Sequence, residues 1–352
     1  MPVFRSSDNP IITPRAVRPS RPDFEVIGAF NAGVARLGDE VILLLRIAER
    51  PLNPDPGVYL APIYDASQQQ VVIKRFEKDN PEFDFSDPRS IQTARGAYLT
   101  SLSHLRLARS RDGVHFAVDE TPALFPETCY ETYGIEDPRI TQIGDTYYVN
   151  YSAVSEAGIV VYLASTADFR SFRRLGAIFP PDNKDVTIFP EKIAGQYYAL
   201  HRPSSGFGRP EIWIAESPDL LCWGNHRHLM GLREASWDDG RIGGGAVPFR
   251  VEAGWLEIYH GADRLNRYCL GAVLLKADEP WKIIARSTQP ILEPEAVYEA
   301  DGFFGGVVFS CGALYEDNKV KIYYGAADTS MAYAEIPIEE VLQSLRSKKT
   351  GF

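Results

Sequence analysis

Cysteine is scarce in this sequence, and its spacing is uninformative for metal binding. The 352 residues include four cysteines, Cys129, Cys222, Cys269 and Cys311, and no two of them form a Cys-x-x-Cys pair. Each lies in or near an apolar or aromatic stretch, where a reduced thiol packs as a small hydrophobic group. We therefore expect neither a disulfide framework nor a zinc site, and we predict no metal ion and no resident cofactor.

Long apolar runs and clusters of positive charge are also missing. The longest aliphatic run, residues 41–45, is far shorter than the roughly 20 residues that span a bilayer. Residues 1–6 lack the apolar core of a signal peptide. The net charge is −10, and Lys and Arg are scattered along the chain. We predict a cytoplasmic protein with no membrane and no nucleic-acid partner.

Common catalytic motifs are absent as well. The glycine runs Gly243-Gly244-Gly245 and Gly305-Gly306 fit neither a dinucleotide-binding loop nor a P-loop. The sequence has no Gly-x-Ser-x-Gly elbow and no His-Glu-x-x-His metal motif. The informative features are therefore its internal repeats and the polar residues within them.

A short phrase is repeated along the chain, in which a turn residue precedes an apolar or alternating run that ends in polar residues. A turn followed by β-branched and aromatic residues indicates the second strand of a hairpin. The copies recur mostly at intervals of about 50 to 65 residues, which is the period of propeller blades. They occupy residues 38–46, 144–152, 195–202, 254–261 and 318–325.

Each copy has strand-like neighbours on both sides. The preceding segments are 31–35, 137–141, 189–193, 245–249 and 310–314, and the following ones are 105–110, 161–165, 212–217, 270–274 and 331–335. Three or four antiparallel strands per unit, repeated radially, leave no long exposed edge. We predict an all-β fold, a five-bladed β-propeller, with an all-β sandwich as the alternative.

The sequence predicts one propeller domain over residues 1–352, without a linker. Residues from about 51 to 95 interrupt the first unit, and their Pro, Asp and Gln content predicts an extended insertion over one end of the channel. Within it, residues 57–64 and 70–76 should pair as a hairpin. Residues 337–346 have apolar positions at helical spacing after a proline, which predicts a short C-terminal helix.

Asp137 is the most conspicuous acidic residue. It belongs to Gly134-Ile135-Glu136-Asp137-Pro138-Arg139, directly before a predicted innermost strand. In a propeller these strands line the central channel, so a polar side chain there points to a ligand site. One carboxylate of the pair can face the channel while the other faces away. The alternative is a turn with solvated acids.

A set of basic residues accompanies it. Arg46, Arg202 and His260 fall at the same place in their repeats, the end of the second strand, and Lys184 enters the third unit. Equivalent positions related by rotation converge on the channel mouth. Cations gathered there would be costly unless they bind an anion, which favours an anion site over separate surface salt bridges.

Small polar residues form a third set, namely Asn31, Asn150 and Asp328. The glycine runs 243–245 and 305–306 lie near the starts of inner strands. Glycine lets a ligand approach the backbone closely, but it also serves bulges and tight blade packing. Both interpretations remain open at this level.

With these residues in view, the chain resembles glycoside hydrolase family 130, the five-bladed mannoside phosphorylases. The resemblance covers nearly the whole chain in order. The matching segments are 26–34, 44–46, 110–116, 134–140, 183–185 with 189–192, 201–203, 259–263 and 323–328. The insertion and residues 98–103 are most similar to members acting on 1,2-β-mannobiose.

The resemblance implies an inverting, glycosyltransferase-type phosphorolysis of a β-mannoside that releases α-mannose 1-phosphate. It implies Asp137 as general acid, with the proton thought to pass through the mannose 3-hydroxyl. Phosphate, the co-substrate, would be bound at Arg46, Lys184, Arg202 and His260. Mannose would be bound at Asn31 and Asp328, with Tyr98 and Asn150 as further substrate-binding candidates.

The chemistry of these residue types agrees with this implication. An inverting hydrolase needs a second carboxylate to activate water, whereas phosphate is already an anionic nucleophile that cations can hold in line. The alternatives are a β-mannosidase of the same fold, a β-1,4-mannooligosaccharide phosphorylase, and a glycan-binding propeller without turnover. The sequence leaves linkage, chain length and assembly into a homo-oligomer open.

Overall fold

The computed structural model describes residues 2–204 and 206–346, and it confirms the five-bladed β-propeller. Five antiparallel sheets follow one another along the chain, each with at least four strands when the N-terminal strand is counted with the last sheet. The chain folds this way because each turn-plus-apolar phrase becomes the second strand of a blade. No helix within residues 2–204 or 206–346 is long and apolar enough to cross a lipid bilayer.

The blades are numbered here in chain order. Strand β1 (Phe4–Arg5) comes before blade 1, which contains β2 (Phe24–Leu37) and β3 (Glu40–Pro51). The insertion then forms two hairpins, β4 (Val58–Asp65) with β5 (Gln70–Glu77) and β6 (Ser90–Thr93) with β7 (Gly96–Leu99). Strands β8 (Leu102–Ser110) and β9 (Ala117–Val118) complete blade 1.

The other four blades follow without an insertion of that size. Blade 2 contains β10 (Ile135–Ile143), β11 (Thr146–Ser155), β12 (Gly158–Thr166) and β13 (Arg173–Phe179). Blade 3 contains β14 (Asn183–Ile188), β15 (Tyr197–Pro203), β16 (Ile212–Ser217) and β17 (Gly224–Met230). Blade 4 contains β18 (Arg241–Gly243), β19 (Phe249–Val251), β20 (Gly254–Ala262), β21 (Tyr268–Leu275) and β22 (Ile283–Arg286). Blade 5 contains β23 (Val308–Glu316), β24 (Lys319–Ala326) and β25 (Ser330–Pro337).

Helical structure is confined to short segments. Within the described residues there are two α-helices, α1 (Val297–Ala300) and α2 (Ile338–Ser344), and 3-10 turns occur at Pro14–Ala16 and Cys129–Glu131. Helix α2 confirms the predicted C-terminal helix, and it packs Ile338 and Val341 against the apolar layer between blades 4 and 5.

The N-terminal strand closes the ring. Phe4 and Arg5 of β1 pair with Glu335 and Ala334 of β25, so the first strand of the chain becomes the outer strand of the last blade. Five large apolar clusters fill the blade-to-blade contacts, and each combines residues of two neighbouring blades. The core is therefore a ring of five layers around the axis.

Two of the predicted inner strands are misplaced. The expected strand 189–193 is wrong, because β14 ends at Ile188 and the chain then turns. The expected strand 245–249 is also wrong, because blade 4 splits its inner strand into β18 and β19 with an irregular stretch between them. The predicted hairpin of the insertion is confirmed by the continuous register from Val58–Glu77 to Asp65–Gln70.

Buried carboxylates tie the outer strands of three blades to their second strands. In blade 2, Glu131 is fully buried and accepts hydrogen bonds from the Tyr151 hydroxyl, from Arg174 and from the N–H groups of Glu127 and Thr128. Two other blades repeat this arrangement, in which a carboxylate accepts from a second-strand tyrosine and an outer-strand arginine. In blade 5, Glu299 accepts from Tyr324 and Arg5. In blade 4, Asp238 accepts from Tyr259 and Arg286. Each cluster satisfies a buried charge on several sides.

We expect Glu131→Ala to lower the free energy of unfolding by about 3 kcal/mol, because it removes the buried acceptor of the Tyr151 hydroxyl and of two N–H groups and the buried charge partner of the half-buried Arg174. The matched control is Glu127→Ala, whose carboxylate also contacts Arg174 at 3.1 Å but is 63% exposed. Denaturant unfolding of both variants measures the difference, and equal losses would contradict this account.

Candidate active site

One cavity of about 360 Å³ lies at the end of the channel where the second strands finish. Its lining combines inner strands, second-strand ends and the insertion. Asn31, Arg46, Asp137, Lys184, Arg202 and Asp328 all line it. The volume is at the small end of the range for ligand pockets, roughly 300–1,000 Å³.

Backbone bulges place the polar side chains in this cavity. In blades 1, 2 and 3 the inner strand loses register with the second strand at Phe30–Gly33, Glu136–Arg139 and Lys184–Thr187. Inside each bulge one residue has a positive φ, Asn31 at 48°, Asp137 at 48° and Asp185 at 54°. Asn and Asp tolerate the left-handed region better than other non-glycine residues. The bulge therefore turns a polar residue out of the strand pattern.

Asp137 lies among cations and amides. Its Oδ1 atom accepts hydrogen bonds from Asn31 Nδ2 at 3.0 Å and from Arg46 Nη1 at 3.1 Å. Arg46 also donates to Glu136 at 2.8 Å and to the Ser103 hydroxyl at 3.1 Å. The guanidinium thus holds both carboxylates of the acidic pair at fixed positions.

Charges around Asp137 decide its protonation state in the free protein. Burial alone would raise its pKa, but Arg46, Arg139 and Lys184 attract the ionised form, and the Asn31 amide adds a hydrogen bond. The net result is a pKa below the ordinary value for aspartate. Asp137 is therefore ionised near neutral pH when the cavity holds no other anion.

Strand register relates the basic residues, as the repeats predicted. Arg46, Arg202 and His260 pair with Phe30, Lys184 and Gly243 respectively, each the last paired residue before its inner strand is interrupted. The side chains of Arg46, Lys184 and Arg202 line the cavity. The ammonium group of Lys184 has no hydrogen-bond or ion-pair partner in residues 2–204 and 206–346, so it is available to a ligand.

His260 is placed differently from the other basic residues. It is fully buried and outside the cavity lining, and burial lowers its pKa although Asp185 opposes this. Its Nε2 atom lies 3.2 Å from Asp185 Oδ2, while Arg202 Nη1 lies 2.8 Å from the same oxygen. Asp185 thus joins His260 to the cavity residue Arg202.

The glycine run 243–245 explains how blade 4 fits beside Asp185. A Cβ atom at Gly243 would collide with the carboxylate of Asp185 and the ring of His260. One at Gly244 would lie 2.7 Å from the Asp185 carbonyl oxygen. Here glycine serves tight packing between blades.

Asp328 is a cavity carboxylate whose pKa lies close to neutral pH. Burial raises its pKa to about 6, and Asp137 pushes it the same way while Arg46 opposes the shift. Its backbone is also left-handed, with a φ of 48°. Asp328 can therefore exist as an acid or as a carboxylate within the physiological range.

Two of the predicted substrate-binding residues lie outside the cavity lining. Asn150 is buried and donates to the Val186 carbonyl at 2.8 Å, so it holds the bulge that carries Asp185. Tyr98 belongs to the insertion, where its ring contacts Phe76 and Lys74. Their role in substrate binding stays a prediction.

Several residues of the site carry no simple sequence signal. Asp185 lies in the matching segment 183–185 and is not among the predicted site residues, yet it contacts Arg139, Arg202 and His260. Arg139 also donates to the carbonyls of Asp137 at 3.0 Å and Gly244 at 2.8 Å. The sequence pattern that could have identified Asp185 is its equivalence to Asn31 and Asp137, the polar residues at the same position of the inner strands of blades 1 and 2. Arg241 and Tyr268 join the lining from blade 4, and their side chains share a 3.1 Å hydrogen bond.

The arrangement can bind an anion next to a polyhydroxylated ligand. Arg46, Lys184 and Arg202 line the same cavity as the carboxylates of Asp137 and Asp328 and the amide of Asn31. Among residues 2–204 and 206–346 no group of three or more His, Cys, Asp or Glu side chains could hold a metal ion. Fold and site together define a β-propeller pocket for a sugar and an anion.

Comparison with known proteins identifies the family. The family model described as beta-1,4-mannooligosaccharide phosphorylase, of glycoside hydrolase family 130, matches residues 96–347. A beta-1,2-mannobiose phosphorylase of Listeria innocua serovar 6a is 53% identical over 98% of this chain and 99% of its own. A 1,2-beta-oligomannan phosphorylase of a Thermoanaerobacter species is 39% identical over 69% of this chain and 82% of its own.

A solved structure agrees with the sequence comparison. The Listeria innocua beta-1,2-mannobiose phosphorylase, in complex with beta-1,2-mannobiose, superimposes with a TM-score of 0.96 over 98% of this chain and 99% of that one. The chain therefore belongs to glycoside hydrolase family 130, and the protein is an enzyme.

We expect sugar binding to weaken as the pH falls through about 6, where Asp328 becomes protonated. An ionised carboxylate accepts hydrogen bonds from sugar hydroxyls about twice as strongly as a neutral one. The measurement is calorimetric titration of β-1,2-mannobiose without phosphate from about pH 7.5 to about pH 5. The Asp328→Asn variant should lack this step, and an identical step in the variant would assign the titration to another group.

Proposed function

We propose that this protein catalyses inverting phosphorolysis of β-1,2-mannobiose or short β-1,2-mannooligosaccharides and yields α-mannose 1-phosphate. Phosphate attacks the anomeric carbon of the non-reducing mannose, the glycosidic C–O bond breaks, and the leaving mannose takes up a proton. The proposal is supported by the relative that is 53% identical over nearly the whole of both chains and is named for this substrate.

The observation that carries phosphorolysis rather than hydrolysis is the cation set in the cavity. Arg46, Lys184 and Arg202 line it together, and Lys184 has no competing partner among the described side chains. A phosphate dianion there would be neutralised and held in line with the anomeric carbon. A hydrolase would need a carboxylate base in this place to activate water.

We assign the cations to phosphate and give Asp185 a positioning role. Asp185 fixes the guanidinium of Arg202, and through the same oxygen it contacts His260. His260 would then support the phosphate site from behind, without touching the anion. Asn31 and Asp328, on the other side of Asp137, are the proposed partners of the mannose hydroxyls.

Asp137 is the proposed general acid. This role requires a protonated Asp137, and phosphate binding favours that protonation. In the free protein Arg46 and Lys184 keep it ionised. A bound phosphate dianion pairs with these cations and adds negative charge nearby, so the pKa of Asp137 rises in the ternary complex. Asp137 can then hold the proton that the leaving oxygen requires, either directly or through a hydroxyl of the mannose.

Some finer predictions remain proposals. A β-1,4-linked substrate is the competing choice, because the family model is described by that linkage and a Ruminococcus albus beta-1,4-mannooligosaccharide phosphorylase is 33% identical over 68% of this chain. A cytoplasmic location, a single domain over residues 1–352 and assembly into a homo-oligomer are likewise retained as predictions.

We expect release of mannose 1-phosphate from β-1,2-mannobiose to require inorganic phosphate, and release from β-1,4-mannobiose to be slower. Asp137→Asn should reduce turnover by about 10²- to 10⁴-fold, because an amide cannot donate the required proton. Product analysis with and without phosphate is the measurement. Equal amounts of free mannose in both reactions would favour the hydrolase, and a variant retaining more than about a tenth of the rate, ~1.4 kcal/mol in barrier, would exclude Asp137 as the acid.

We expect Arg202→Ala to raise the KM for phosphate by roughly 10- to 100-fold, since a charged hydrogen bond contributes about 1.5–3 kcal/mol. In the synthetic direction the same change should raise the KM for mannose 1-phosphate and leave that for the acceptor mannose nearly unchanged. Asp328→Ala is the counterpart, and it should weaken both mannobiose and mannose 1-phosphate. Weaker acceptor binding with unchanged phosphate kinetics in Arg202→Ala would overturn the assignment of the cation set.

A further inference from the structure

Two segments from different blades meet at the solvent side of the cavity. Arg89, in the insertion of blade 1, and Phe304, in the connection before blade 5, both line the cavity that contains Asp137. The guanidinium carbon of Arg89 lies 4.4 Å from the centroid of the Phe304 ring, which is a cation–π contact. The Arg89 side chain is 44% exposed, against 8% for Asp137, so this contact lies toward solvent.

The fold fixes both halves of this contact. On one side, Asp87 accepts hydrogen bonds from Arg89, at 3.0 Å from Nε, at 2.8 Å from Nη2 and at 2.9 Å from the backbone N–H. Thr100 also anchors this turn, because its N–H donates to the Arg89 carbonyl at 3.0 Å. On the other side, the Phe304 N–H donates to the Ala327 carbonyl at 3.1 Å, one residue before Asp328. These backbone and side-chain hydrogen bonds therefore hold both halves of the contact at the cavity.

We propose that Arg89 and Phe304 form a bridge over the outer end of the sugar site that makes the protein prefer a disaccharide to longer chains. A sugar bound between Asp137 and this bridge meets an aromatic face and guanidinium donors, the groups that suit a pyranose ring and its hydroxyls. A longer chain has to displace the bridge and keep it open. The inference rests on the proposed function, because it concerns the mannose that leaves.

The size of the effect follows from the kind of contact. A cation–π pair at an exposed position contributes about 0.5–1 kcal/mol, so opening it should disfavour a third sugar by about 2- to 5-fold. This is weak enough for substrate entry and product release. It is large enough to appear as a consistent preference for the shorter substrate.

The test is the affinity ratio between β-1,2-mannobiose and β-1,2-mannotriose, measured by calorimetry without phosphate, so that no turnover is needed. In Arg89→Ala and in Phe304→Ala the preference for the disaccharide should fall by about 2- to 5-fold. The double variant should change no further than either single one, because all three lose the same contact. Phe304→Tyr keeps the aromatic face and should retain the wild-type ratio.

Lys78→Ala is the matched control. Lys78 makes a cation–π contact of 4.5 Å with Tyr59 in the same insertion, and neither residue lines the cavity. Its loss should leave the ratio unchanged. An unchanged ratio in Arg89→Ala and Phe304→Ala, or additive effects in the double variant, would overturn the bridge.

The phosphate assay separates this inference from the proposed function. If the wild type binds mannobiose with the expected ratio but forms no mannose 1-phosphate, phosphorolysis fails and the bridge stands. If mannose 1-phosphate forms but the ratio is the same in all variants, the bridge fails and phosphorolysis stands. Because Arg89 is exposed, Arg89→Ala should fold, and its affinity ratio tests the bridge even if Phe304→Ala does not fold.

Discussion

The site depends on a bulge at one position of the inner strand, repeated in blades 1, 2 and 3. There a residue with left-handed backbone, Asn31, Asp137 or Asp185, interrupts the ladder. A regular strand would alternate its side chains between the two neighbouring blades, and apolar residues fill those positions elsewhere. The bulge breaks this alternation and directs a polar side chain to the axis. The rotational symmetry of the fold then brings the three side chains to one cavity.

The charges gathered this way are balanced before any ligand binds. Asp137 and Glu136 both form ion pairs with Arg46, and Asp185 forms ion pairs with Arg139 and Arg202. Most buried charges therefore have partners. Lys184 and Arg241 line the cavity without an ion-pair partner among residues 2–204 and 206–346. On the proposed function, phosphate pairs with these cations, and the same binding event raises the pKa of Asp137. Binding of the nucleophile and preparation of the acid would then be linked by one set of cations.

Much of the fold was accessible from the sequence because each blade repeats a local pattern. A turn residue and an alternating apolar run place the second strand, and the third strand is equally regular, so these predictions are confirmed in all five blades. The inner strands of blades 3 and 4 were misplaced for a physical reason. Bulges and glycine runs there break the period that identifies a strand, as at residues 185 and 243–245.

The sequence by itself determined the number of blades, the family resemblance, and the equivalence of Arg46, Arg202 and His260 in their repeats, because all three follow from local order along the chain. Only the tertiary structure decided which of these side chains reach the cavity. It placed His260 behind Asp185, Asn150 against the Val186 carbonyl, and Arg89 beside Phe304. Depth from the channel axis depends on packing between blades, and residues 36, 75 or 215 positions apart in the chain carry no local signal of such contacts.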